Sequence, residues 1–399
     1  MVDYTFTEEQ DLFRESIREF CTKEIVPKVE LLEGAKEMPM EIIKTLADFD
    51  LMGMMVDPEY GGLGMDAVTT GIAGEELAKA DPSCAIPVLF LVVNSWAYVL
   101  NKYGTEEAKK ELLPNALKGD RFLGIATTES DIGSDLGNMK TRIARKDDGY
   151  VINGEKTYIS GVAEAMKYGG GHVTLARMKP ELGTRGMCMF YLPISESPGI
   201  TPTYFEEFGR EGISCGGFDI KDVEIPKHYL CGEENKGFYY IHEGYELARG
   251  IIGLVCVGSA SKALENGIAY IKERKAFGKP IGKYEGIQFK LSEHYVRIQA
   301  LKELTNKALW TYDRETQGKA SRMDVSMAIA MSKSVASKWS FDAINDVMQW
   351  QGAFGYTNEC PDTKALRGVR SFSLAEGSSE IMKLIVAREL LGKEFLAYR

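Results

Sequence analysis

Apolar positions recur at helical spacing along the first part of the chain, with charges between them. In TEEQDLFRESIREFCTKEIVPKVE these are Leu12, Phe13, Ile17, Phe20 and Cys21, the pattern of an amphipathic helix. Thr7 stands three residues before Gln10, the spacing of a capping box. VDPEYGGLGMD, with Pro58, Gly61, Gly62 and Gly64, predicts a turn-rich break. Helical patterns resume at about 66–80, 84–101 and 105–118.

The period changes from Arg121 to about Pro226. GYVINGEKTYIS, GHVTLARM and GMCMFYLPI are short, β-branched or aromatic, and punctuated by Gly, Asn and Pro, which predicts a β-sheet domain. Within DDGYVINGEKTYI, Asp-Gly and Asn-Gly each predict a tight turn. From Lys236 the helical period returns. ELARGIIGLVCVGSASKALENGIAYIKERKAF is apolar nearly all round in its first half and should be deeply buried. Further long helices fit 283–316 and 322–352, and SSEIMKLIVAREL closes the chain. The order is helical, β, helical: an α+β chain with domains at 1–120, 121–232 and 233–399.

Composition narrows the function. A chain of 399 residues, 44% hydrophobic and 27% charged, can bury a large core in two or three domains. A net charge of −10 without a Lys/Arg block argues against nucleic-acid binding. Cys21, Cys84, Cys188, Cys215, Cys231, Cys256 and Cys360 are scattered, with no C-x-x-C pair. They read as small buried hydrophobes of a reducing compartment. His172, His228, His242 and His294 show no metal-ligand spacing, so no metal centre is expected. MVDYTFTEEQDLF lacks the pattern of a signal peptide. AIPVLFLVVNSWAYVL is interrupted by Pro87 and Asn94, and reads as too short and too polar to span a bilayer. The expectation is a cytoplasmic, soluble protein.

Several segments carry candidate chemistry. GIATTESDIGSD offers hydroxyls and turn N–H groups that suit an anionic or carbonyl-rich ligand; a Ser/Thr-rich turn is the plainer alternative. In GEKTYISG, Tyr158 and Ser160 alternate with Ile159 and should share one strand face, where they could flank a flat heterocycle. In ERKAFGKP, Arg274 and Phe277 lie one helical turn apart on this reading and could clamp a phosphate and stack on a base; a solvated basic helix end is the alternative. QWQGAFGY ends a helix in glycines, which suit close ligand approach or a simple C-cap. No Walker loop, strand-borne G-x-G-x-x-G or G-x-S-x-G is present. In SFSLAEGSSEIMKLIVAREL, Glu376 sits on a Gly-Ser corner just before an apolar helix.

Taken in order, PEYGGLG, TESDIGSD, TYISG, RKAFGKPI, QGAFGY and AEGSSEIMKLIVAREL resemble the acyl-CoA dehydrogenase family along essentially the whole chain. The resemblance implies an N-terminal helical domain, a middle β-domain and a C-terminal four-helix bundle. It also implies non-covalent FAD, a homotetramer built as a dimer of dimers, and an electron-transfer flavoprotein as acceptor. Glu376 matches the family's catalytic base, which takes the α-proton of an acyl-CoA while the β-hydrogen leaves as hydride to flavin N5. The backbone N–H of Glu376 and a ribityl hydroxyl would bind the thioester oxygen, and burial would raise the base's pKa.

The resemblance also assigns cofactor contacts. Ile125, Thr127, Thr128 and Ser134 match the loop at the isoalloxazine, with Ser134 reaching the CoA chain. Tyr158 and Ser160 match an aromatic and a hydroxyl beside the ring. Arg274 and Phe277 match contacts to FAD of a neighbouring subunit, as do Gln349, Gly352 and Ala353, with Ser378 and Glu380 on the near side. Glu246 and Arg249 match residues that hold the CoA moiety, and Gly377 completes the substrate contacts. Departures stand out. Ser130-Asp131 replaces a usual Pro-Gly, Tyr158 a common tryptophan, and Glu285 and Glu380 frequent glutamines. Where some members carry the base on the long helix, this chain has Ala248.

Ala375, preceded by Leu374, stands where a bulky tyrosine is frequent, which frees volume beside the α-carbon. AIPVLFLVVNSWAYV, the expected pocket floor, contains no Arg or Lys for an ω-carboxylate and no Asp or Glu for a remote proton. The expected substrate is a compact apolar acyl-CoA: alicyclic, such as cyclohexanecarboxyl-CoA, branched, or short. An enoyl-CoA reductase running the reaction in reverse and an acyl-CoA oxidase are the alternatives, and a DNA-associated member of the fold is disfavoured by charge.

Overall fold

The computed structural model describes residues 6–395. The first residues of the stretch read for a leader, and the last of the 233–399 segment, lie outside them. The chain opens with α1 (Glu8–Phe20), whose capping box forms as expected: Thr7 Oγ1 accepts from Gln10 N at 3.2 Å, and Gln10 Oε1 accepts from Thr7 N at 3.1 Å. Helices α2 (Met40–Asp48), α3 (Ala67–Ala80), α4 (Ala85–Tyr103) and α5 (Glu106–Leu117) follow.

Two helices, Ala85–Tyr103 and Gly237–Glu273, are long and apolar enough to cross a membrane, which corrects the reading of the first as too short and too polar. Both are largely buried inside the fold. Asn94 is tolerated on α4 because its amide is satisfied internally. It accepts from Met54 N at 2.8 Å and donates to the Leu51 and Phe90 carbonyls at 2.7 and 2.9 Å.

The middle segment builds one sheet from β1 (Phe122–Ala126), β2 (Arg142–Lys146), β3 (Gly149–Ser160), β4 (Gly170–Arg177), β5 (Met187–Pro193), β6 (Ile200–Phe205), β7 (Cys215–Pro226) and β8 (Leu230–Cys231), with α6 (Val162–Tyr168) after β3. The strand order is β6-β7-β3-β2-β4-β5-β8, and β1 pairs parallel to β4. The Asp-Gly signal marks a real turn between β2 and β3, with Asp147 at φ 47°. The Asn-Gly signal does not. Asn153 and Gly154 sit inside β3 at a bulge, where the register against β7 shifts and Asn153 Nδ2 donates to Asp222 at 3.0 Å. Glycine in a strand marks a bulge as readily as a turn.

The C-terminal part comprises α7 (Gly237–Glu273), a hairpin of β9 (Lys275–Ala276) and β10 (Lys279–Pro280), then α8 (Glu285–Thr316), α9 (Arg322–Gln351), α10 (Pro361–Ser371) and α11 (Ser379–Leu391). Helix α7 packs against α3, α4, α8 and α9. Leu247, Ile251, Leu254 and Val255 are wholly buried, as the all-round apolar pattern requires. The α3–α7 approach is close enough that a Cβ on Gly258 would meet the Glu75 carbonyl at 2.2 Å.

Candidate active site

The site is built from the loop after β1, which β3 backs and Tyr245 of α7 meets, and from a corner between α10 and α11 that carries Glu376 and rests on α7 and α9. The loop leaves β1 at Ala126. Thr127 is buried, its hydroxyl 2.5 Å from the Tyr245 hydroxyl of α7. Its carbonyl accepts from Lys156 Nζ at 3.3 Å, and the Thr128 carbonyl accepts from Thr157 N at 2.9 Å. Glu129 and Ile132 exchange backbone hydrogen bonds at 2.8 and 3.1 Å around a Ser130-Asp131 turn. The turn needs no Pro-Gly because side chains pin it. The Glu129 carboxylate, buried, accepts from Lys140 N at 2.6 Å, Thr141 N at 2.9 Å and Lys156 Nζ at 3.1 Å. Ser130 N donates to Glu155 at 3.1 Å. Burial disfavours charge on Glu129, but Lys156 and these donors prevail and hold its carboxyl below the usual range. Burial pulls Lys156 down to about 8. Ser134 lies further along the loop and is exposed, while Ile125 on β1 is half-buried.

The predicted alternation of Tyr158 and Ser160 fails. The β3 register shifts between Lys156 and Ile159, and Tyr158 adopts φ 56°. Tyr158 is exposed, its ring 5.3 Å from that of Phe205, whereas Ser160 is half-buried and its carbonyl lies 3.1 Å from His172 Nε2. Burial lowers His172 to about 4, so this imidazole is neutral.

The corner turns on two residues in left-handed conformation, Glu376 at φ 56° and Gly377 at φ 92°. A Cβ at 377 would be strained by that φ and would press on Met382 and Arg249 at 3.2 and 3.3 Å. Ser378 then caps α11, accepting from Ile381 N at 3.3 Å. The Glu376 carbonyl accepts from Arg249 Nε at 2.6 Å, and the Gly377 carbonyl accepts from Lys333 Nζ. The Glu376 side chain is left with a buried Oε2 that has no hydrogen-bond partner among the described residues. Burial raises its carboxyl to about 7, against the pull of Arg249 and Lys333.

Tyr245 joins these parts. Its hydroxyl meets Thr127, its ring lies 5.3 Å from the Arg249 guanidinium and edge-on to Trp96 at 5.4 Å, and the charge of Glu376 adds to burial in raising its phenol. Glu246 and Arg249 share the buried face of α7, but Glu246 is bound to Ser326 and Arg322 at the start of α9. Sequence reasoning missed Tyr245, Lys156 and Lys333. Lys333 had a signal: it stands four residues after Ile329 and three before Ala336, a charge on an apolar stripe.

The remaining residues lie elsewhere. Arg274 is past the end of α7, and Phe277, at φ 50° and 98% exposed, tips the β9–β10 hairpin. They are therefore not one helical turn apart, because the helix stops at Glu273 and the chain folds back. Gln349, Gly352 and Ala353 are exposed at the end of α9, which neighbours α7 through Tyr270 Oη and the Gln351 carbonyl, 3.3 Å apart. At 1.5 Å per residue, Arg274 is about 37 Å along α7 from Arg249. Glu285 and Glu380 each stand in the first turn of a helix, α8 and α11, where the dipole favours an acid. That accounts for both without reference to a cofactor.

Sequence models of the acyl-CoA dehydrogenase N-terminal, middle and C-terminal domains match residues 7–120, 124–223 and 235–391. The chain belongs to the acyl-CoA dehydrogenase family. It is 32% identical to the probable acyl-CoA dehydrogenase YngJ of Bacillus subtilis, over 98% of this chain and 100% of that one. It is 30% identical to cyclohex-1-ene-1-carbonyl-CoA dehydrogenase of Syntrophus aciditrophicus, over 96% and 90%. Among solved structures, a glutaryl-coenzyme A dehydrogenase complexed with glutaryl-CoA superposes with a TM-score of 0.90 at 28% identity, covering 98% and 97%. Membership makes the chain an oxidoreductase with FAD as its cofactor. The residues fit that group: a polar loop held rigid from behind, an exposed aromatic at the end of β3, and an unpartnered buried carboxylate oxygen joined to the loop through Tyr245.

Proposed function

We propose that the chain converts an acyl-CoA thioester to its α,β-enoyl-CoA, with Glu376 as the base that removes the α-proton. The observation that carries this is the buried, unpartnered Oε2 on a left-handed corner, with a pKa of about 7. A carboxylate with one oxygen buried and without a hydrogen bond is a stronger base than one in water, and a pKa near neutrality leaves it ionised often enough to act. FAD, when bound, supplies the acceptor for the β-hydrogen, which departs as hydride. The electrons of the broken α-C–H bond then form the double bond, and Glu376 holds the proton. Thr127, Thr128 and Ser160 would line the near side of the cofactor. The exposed set of Arg274, Phe277, Gln349, Gly352 and Ala353, far along the bundle, would serve a site completed by a second copy. The exposed apolar side chains of Phe289, Tyr295 and Val296 on α8 support a homotetramer.

The acyl group is proposed to be compact and apolar. Supporting this, α4 brings no cation before Lys102, Ala375 carries no ring beside the base, and one relative is named for an alicyclic thioester. Anaerobic titration with an acyl-CoA panel tests both levels. Bleaching of the flavin by alicyclic, branched or short thioesters is expected. Preference for long linear or dicarboxylic thioesters would reject the substrate reading, and no bleaching by any would reject the reaction. Electron-transfer flavoprotein is proposed as acceptor over O₂, which rapid aerobic reoxidation after bleaching would contradict.

A further inference from the structure

The Glu376–Gly377 corner is gripped in an unusual way. Two successive carbonyls, both from residues with positive φ, accept from two cations on different helices: Arg249 of α7 and Lys333 of α9. Lys333 is wholly buried on an apolar stripe, and a lone ammonium there has a large desolvation cost. A backbone carbonyl alone is a weak return for it; the neighbouring carboxylate is a better one.

We infer that Lys333 is the positioning residue of the base, forming with Arg249 a two-cation seat that fixes the corner and favours the ionised form of Glu376. The inference rests on Glu376 being the base. The seat acts in two separable ways. The hydrogen bond to the Gly377 carbonyl holds the backbone turn that aims the carboxylate. The charge lowers the cost of ionising a carboxylate that has no hydrogen bond to its Oε2. The groups facing this cluster are Arg249, Tyr245 and Cys256 of α7, Lys333 of α9, Glu380 of α11 and the uncharged Thr127 hydroxyl. Glu246 stands behind Arg249 and is neutralised by Arg322. Burial and repulsion from Arg249 lower Lys333 to about 8, so it still carries its charge through the range where Glu376 titrates.

Two substitutions separate the roles. Lys333→Gln keeps an N–H donor for the Gly377 carbonyl and removes the charge; Lys333→Met removes both. The acid limb of kcat/KM should move up by about 1 pH unit in each. The high-pH plateau should stay within a few-fold of wild type in K333Q and fall about 10-fold or more in K333M, as for a misplaced base. Lys333→Arg should leave the limb in place. An unmoved limb in both K333Q and K333M, with flavin bound, overturns the inference. If neither variant retains flavin, the Glu376 carboxyl stretch of the flavin-free K333Q protein, followed by infrared difference against E376Q, decides: a titration moved up from that of the flavin-free wild type supports the seat and an unmoved one overturns it. A Glu376→Gln control keeps the readings apart. Turnover by E376Q at the wild-type rate would remove the base itself, whereas an E376Q slowed by about 10²-fold or more beside unmoved Lys333 variants sinks only the seat.

Discussion

Glu376 combines a half-buried side chain, a left-handed backbone and a buried, unpartnered Oε2, none of which favours folding. A folded pKa raised from the ordinary 4.5 to about 7 means that its contribution to stability is fully present below about 4.5 and is lost as pH rises through 7. Glu376→Gln should therefore stabilise the protein above pH 7, by about 1–3 kcal/mol, while slowing turnover by orders of magnitude; denaturation at pH 8 against pH 5 checks the sign. Because only the ionised form takes a proton, kcat/KM should fall as pH drops below about 7, which a pH profile of the wild type measures. This residue was legible in the sequence as an acid on a Gly-Ser corner. Its partners were not legible as such: Arg249 was expected only as a CoA contact and Lys333 was missed, since they lie 127 and 43 residues away and reach the corner only through helix packing.

At the scale of elements, the loop after β1 holds its shape through a buried pair, Glu129 and Lys156, joining the turn to β3. Lys156→Met would leave the carboxylate buried without its cation, and should cost about 3–5 kcal/mol and weaken flavin retention. Thermal unfolding and release of flavin fluorescence report the two effects. Pattern showed the helices well, because α1 buries the one face that its spacing displays, and α3, α4 and the first half of α7 are buried nearly all round, as continuous apolar runs require. It failed where a strand is irregular. The bulges at Gly154 and Tyr158 depend on pairing with β7, which local pattern does not contain, so Asn-Gly read as a turn and Tyr158 as a neighbour of Ser160. It also carried α7 past Glu273, where the β9–β10 hairpin reverses the chain.

Across the whole molecule, the N-terminal helices and the C-terminal bundle are tied by a buried charge cluster. Glu75 of α3 is met by Arg14 of α1 at 2.7 Å, Lys302 of α8 at 2.9 Å and Lys79 at 3.4 Å. Burial disfavours its charge, but Lys302, Lys79 and Arg14 outweigh it and hold Glu75 at about 2. The stability this confers is present above the ordinary carboxylate range and lost as pH falls toward 2. Glu75→Gln should destabilise the fold by about 3–5 kcal/mol at neutral pH, read as a lowered denaturation midpoint. The same packing brings α7 and α9 beneath the corner and sets Tyr245 between the loop and the base. Site and scaffold therefore share one core. The central claim is that Glu376 removes the α-proton, and it is tested most directly by mixing wild type and E376Q anaerobically with a compact acyl-CoA and following the flavin absorbance. The account predicts rapid bleaching in the wild type and a rate lower by about 10²–10⁴-fold in E376Q; bleaching at the wild-type rate in E376Q would contradict it.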